Sequence, residues 1–356
     1  MNNIIEKLLY CVKMINLIKW LSNAGNTDHK KRIISRSIFV YLDAFFEFAP
    51  QVKNSLEKKD VNVKAIHEKI GIIRTEYENY YATIRDKLAA HRQDLSIVET
   101  FEIWNEIDIT TLDYFITEVL DIYNLLHALK RDEVPAYMNF PITNRTITPI
   151  SDNVLQTPTV SSDSLALTRP NTVSFLPLNP IQKRGSQINS IIDTVMYLFK
   201  LYPNEDLGID LMRLVKSMIS VDTINLLDNL YPFTPSDPNH KIESFLEISQ
   251  KAKLDGYHLL AQSHSARNQI LETKIREIRN KICAHVDTVE MLDDTLKMLD
   301  ELPLSELIEL FIETRNSFYS SCKADIRTSI LIINDEKLSS DVISVSNSGF
   351  IKDFDK

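Results

Sequence analysis

Two arginine–histidine pairs recur at one spacing in this chain, Arg85 with His91 and Arg279 with His285. Each lies in a similar octapeptide, IRDKLAAH at 84 to 91 and IRNKICAH at 278 to 285, with five of eight residues identical. On a helix, six residues correspond to about 9 Å of rise and roughly 120° of rotation. The arginine therefore flanks the face that the histidine ends. An always-charged guanidinium grips a phosphate bidentately, and an imidazole that titrates near neutrality takes the proton of a ribose 2′-OH. Attack of that oxygen on its own phosphate needs no metal or cofactor and leaves a 2′,3′-cyclic phosphate. Asp86 and Asn280, which follow the arginines, are candidates to hold the Arg or His in place. Lys87 and Arg92 in the first copy, and Lys274, Arg276 and Lys281 in the second, form local basic islands suited to RNA on a chain of net charge −9.

Each of these features also has a plainer reading. A histidine ending an apolar helix is favoured there by the helix dipole, and lysine clusters on helices are commonly solvated faces. Finding the Arg–His pair twice favours chemistry. Competing constellations are weak. His91 with Asp94 and His285 with Asp287 lack the ligand density of a metal site, and His258 and His264 have no evident partner. The chain has no GxSxG, GxGxxG or GxxxxGK[ST], which removes the nucleophile elbow, dinucleotide and P-loop classes.

The elements that must position the pairs show the same repetition. Tyr77, Tyr81, Ile84 and Leu88 match Leu271, Ile275, Ile278 and Ile282, an apolar seam at helical spacing that ends in the histidine. The Tyr77/Tyr81 part reads as core. Twenty residues past each histidine stands a hydroxyl, Thr111 or Ser305, before an apolar run, and Thr110, Thr111 and Ser305 are the expected N-caps.

These residues resemble the HEPN superfamily, all-helical ribonucleases with an Arg, a polar residue and then a His near a helix end. The first copy, YYATIRDKLAAHRQD, looks most like the branch found among abortive-infection proteins. The resemblance implies metal-independent RNA cleavage with two motifs face to face across a homodimer or pseudo-dimer. It also implies a setting in bacterial antiviral defence or toxin-like growth arrest, with a regulatory protein or antitoxin as a possible companion. The alternative is a non-catalytic helical module that binds RNA, a nucleotide or a protein partner. An intermediate case has one active copy and one degenerate scaffold.

Six glycines in 356 residues suit helices, so the fold class expected is all-α with two HEPN-like helical bundles. Residues 1–30 read as an amphipathic, largely buried helix that packs on the body or a partner, with a membrane surface as the lesser alternative. Residues 31–130 form the first unit, with helices over 33 to 54 and 62 to 92. Residues 131–187, rich in Pro, Ser and Thr, form an irregular linker. The second unit is 188–331, with helices over 190 to 202, 207 to 231, one long run from 240 to 285, and 305 to 331. Residues 332–356 are a polar tail. Three dispersed cysteines point to a reducing cytoplasm, and the charged residues within the N-terminal stretch argue against a membrane span.

Overall fold

In the computed structural model the described residues are 2–23, 28–59, 61–84, 107–137, 180–202, 208–233, 243–283, 286 and 291–323. Among them all regular structure is helical: α1 (Asn2–Ser22), α2 (Asp28–Ser35), α3 (Ile38–Glu57), α4 (Lys64–Ile84), α5 (Ile109–Leu129), α6 (Pro180–Leu201), α7 (Ile209–Leu230), α8 (Phe245–Lys251), α9 (Tyr257–Ala266), α10 (Gln269–Ile278), α11 (Leu292–Asp300) and α12 (Leu304–Lys323). A π-helical turn, Arg279–Cys283, continues α10. No described helix is long and apolar enough to cross a membrane.

Two helices organise the packing because both are apolar around most of their circumference, the pattern of a helix enclosed by others. In α1, residues from Ile5 through Leu21 are buried on several sides, and Lys7 is buried as well, its ammonium 6.0 Å from the Phe48 ring centre. This helix packs on α3 and α5 and also on α7 and α11, so it is an internal element and not a surface attachment. In α7 nearly every residue after Val215 is buried, and α7 packs on α1, α6, α8, α10, the π turn, α11 and α12. One contiguous apolar core follows.

The Tyr77/Tyr81 part of the expected seam is core: Tyr77 donates to the Phe39 carbonyl at 3.1 Å and Tyr81 to the Asp108 carbonyl at 3.2 Å, while Leu88 lies outside the described residues. That second bond joins α4 to the start of α5, where the cap differs from expectation. Asp108 is the N-cap, accepting from the backbone N–H of Thr110 and Thr111, while the Thr111 hydroxyl donates to it at 2.6 Å. A carboxylate opposite the helix's positive end outcompetes a hydroxyl. Ser305 lies inside α12, which starts at Leu304, and so is not its cap.

The helix expected over 33 to 54 is split by a turn at Arg36 and Ser37 into α2 and α3. Helix α6 begins at Pro180, inside the stretch read as linker. Proline is suited to a first helical position, where its missing N–H has no intrahelical role. The long run expected from 240 to 285 is three helices and a π turn. Ser244 and Glu247 form a reciprocal capping box that starts α8. Lys253 adopts φ 53° beyond it, and Asn268 caps α10 by accepting from the Leu271 N–H at 3.0 Å. Residues 138–179 of the linker and the tail 332–356 lie outside the described residues, whereas Tyr137, near the start of that linker, packs against the core.

Candidate functional site

Arg279 stands where α10 passes into the π turn. Such turns are uncommon, and they recur at functional sites because the wider winding re-aims the side chains that follow. The rotation derived for an unbroken α-helix therefore does not apply across Arg279–Cys283. The guanidinium is largely covered, with 16% of its side chain exposed. Its Nε and Nη2 donate to the Asn280 Oδ1 at 3.1 and 3.0 Å, and its Nη1 lies 3.9 Å from the Asp228 Oδ2. Asn280 thus hydrogen-bonds the arginine that precedes it.

Asp228, on α7, is 2% exposed and also accepts a charge-assisted hydrogen bond from Arg276 Nη2. Arg276 in turn donates to Glu272 at 3.0 and 2.8 Å and lies 4.4 Å over the Phe233 ring. Glu272 also accepts from Arg267 at 2.5 Å. The result is a chain of charges, Arg267–Glu272–Arg276–Asp228–Arg279, running from the start of α10 to its end. Nearby, burial and the charge of Arg267 push the His264 imidazole below its ordinary pKa. Its ring lies 5.2 Å from that of Tyr231, and the ring of His258 is 3.8 Å from that of Tyr257.

The second basic island is occupied by packing contacts. Lys274 donates to the Glu301 carbonyl at 3.3 Å and Lys281 to Glu277 at 2.7 Å, while Arg276 is enclosed as described. Lys274 meets the end of α11 together with Lys216, which donates to the Asp300 carbonyl at 3.2 Å, and cations are favoured at that pole of a helix. Lys274 thus joins α10 to the end of α11, while Lys281 pairs with Glu277 one turn back along its own helix. Arg85, Asp86, Lys87, His91, Arg92 and His285 lie outside the described residues. Val286, directly after His285, is buried in the core at 5% exposure.

Sequence reading missed Asp228, Phe233 and the role of Glu272. The four-residue step from Glu272 to Arg276 is a legible ion-pair spacing. Asp228 meets the site through tertiary packing, which no local pattern announces. The chain matches no family model, no curated protein and no solved structure.

Proposed function

We propose that this chain is a metal-independent endoribonuclease built from two HEPN-like helical units, with Arg85/His91 and Arg279/His285 as its reacting pairs. The observation that carries the reading is the second arginine. It is presented at a π turn, fixed by the polar residue that follows it, and repeated with its histidine in the first unit's sequence. In this scheme the guanidinium binds the scissile phosphate, and the imidazole takes the 2′-OH proton as that oxygen attacks phosphorus and the 5′-oxygen departs. The likeness of the two units is supported by the seam residues Tyr77 and Tyr81 on α4 and Leu271, Ile275 and Ile278 on α10, all buried. By the same resemblance, the activity belongs to antiviral defence or growth arrest.

Incubation of the purified chain with total RNA in excess EDTA tests this. Cyclic-phosphate or 3′-phosphate ends are expected, and a strict Mg²⁺ requirement with 5′-phosphate products would sink the mechanism. If the two pairs share one intramolecular cleft, His91→Ala and His285→Ala each abolish cleavage and mixing the two proteins restores nothing. Substantial cleavage by either variant rejects the shared cleft while leaving the ribonuclease reading in place.

A second reading, a non-catalytic module, is favoured by one observation: Arg267, Arg276 and Arg279 each already face a carboxylate, Glu272 or Asp228. It predicts RNA binding, or none, without turnover in the same assay.

A further inference from the structure

We infer that Asp228 is the positioning residue of this site, acting through Arg279; the inference rests on the ribonuclease reading above. Its two oxygens face different partners. Oδ1 accepts from Arg276, and Oδ2 faces Arg279 at 3.9 Å, an ion pair longer than a hydrogen bond. The carboxylate cannot drift, because it is carried by the enclosed helix α7, is 2% exposed, and is held by an arginine that Glu272 and the Phe233 ring themselves restrain. Arg279 therefore has a fixed negative charge on one side and the Asn280 oxygen on the other. That arrangement sets the guanidinium's position before any ligand arrives and avoids reorganisation during reaction, which is where preorganised charge contributes most. A phosphodiester approaching Arg279 meets the same carboxylate as a competing anion.

These two effects separate in kinetics. Asp228→Asn keeps the size and the acceptor toward Arg276 but removes the charge. Turnover of a short fluorescent RNA should fall about tenfold or more, because Arg279 loses its fixed position. A 2′-O-methyl version of the same RNA, which cannot be cleaved, should bind at least as tightly as to the wild type, because a repelling charge has gone. Loss of packing alone would weaken both together. Both changes should vanish in an Arg279→Lys background, since the planar guanidinium that Asp228 and Asn280 hold between them is gone and an ammonium on a flexible stem does not reproduce it.

Asp228→Asn that leaves kcat within about twofold of wild type, or effects that add independently to those of Arg279→Lys, overturn the inference. If Asp228→Asn does not fold, Asp228→Glu, which keeps the charge and moves it, replaces it in the same cycle, with the same fall in turnover and the same loss of that fall in Arg279→Lys expected; turnover within about twofold of wild type, or additive effects, overturn the inference there too. A wild-type protein that binds the 2′-O-methyl RNA without cleaving RNA defeats the ribonuclease reading, and the binding arm of the cycle alone then decides the role of Asp228. A wild-type protein that neither binds nor cleaves overturns both.

Discussion

Burial pushes the Glu272 carboxyl up, yet its hydrogen bonds and ion pairs with Arg267 and Arg276 outweigh that and hold it below the ordinary glutamate value. The folded state therefore releases this proton more readily than the unfolded chain does. The stability it contributes is present above the unfolded value, near 4.5, and is lost as pH falls through the lower folded value. Acid titration of the melting temperature should show this loss below about pH 4.5 in wild type and a shallower slope in Glu272→Gln. At neutral pH the same variant should lose about 1–3 kcal/mol, because two arginines keep an amide oxygen in place of a carboxylate. An unchanged acid slope would mean that the charge chain along α10 contributes nothing to pH dependence. At this scale the sequence was half legible. Arg279 and Asn280 are local neighbours whose partnership follows from adjacency, whereas Asp228 reaches them only because α7 and α10 pack together, and no spacing along the chain encodes that.

Gly256 opens α9 where its backbone passes so close to α12 that an added Cβ would stand 2.0 Å from the Ser321 carbonyl oxygen. The obstacle is backbone, which cannot rotate aside, so Gly256→Ala must push α9 off α12. Overpacking of this kind costs about 1–3 kcal/mol. Gly71 makes a matched control, since it lies inside α4 with nothing within 4 Å of a Cβ. There Gly71→Ala should stabilise by about 0.4–1 kcal/mol by restricting the unfolded chain. Opposite shifts in denaturant midpoint are expected, and equal shifts would reject the close approach of α9 and α12. The same residues explain why helices were easier to read than their ends. Apolar recurrence located α1, α3, α4, α5, α7 and α12, because burying one face or several leaves a periodic trace. The breaks between α8, α9 and α10 depend on a capping box, a positive φ at Lys253 and a tertiary contact at Gly256, all within a run whose periodicity scarcely falters. The caps show the same limit: an N-cap Thr111 would accept from the backbone, but its hydroxyl donates to Asp108, a residue just before the apolar run.

Across the whole molecule, the residues read as two units share one core, with α1 touching helices of both. Arg36, in the turn between α2 and α3, forms a buried ion pair with Asp222 on α7, joining the first stretch of chain to the second. Burial pushes the Asp222 carboxyl above its ordinary value even against the pull of Arg36. The ionised carboxylate is thus less well accommodated than in water, so the pair fixes how the two stretches meet more than it stabilises the fold. Removing one partner and removing both should then differ. Arg36→Met leaves a buried carboxylate uncompensated and should cost about 3–5 kcal/mol, whereas Arg36→Met with Asp222→Leu should recover most of that loss. The pH dependence distinguishes this from simple loss of packing. With Arg36 gone, the folded-state value of Asp222 rises further above the unfolded one, so the folded state binds the proton more tightly. The missing stability should return as pH falls from 7 toward 5, opposite to the acid loss expected at Glu272. Hydrogen exchange then reports whether the halves act together: Arg36→Met at pH 7 should lower protection in α3 and α7 alike. Loss confined to α3, or stability that does not recover on acidification, would show that the pair is not the joint between the two stretches.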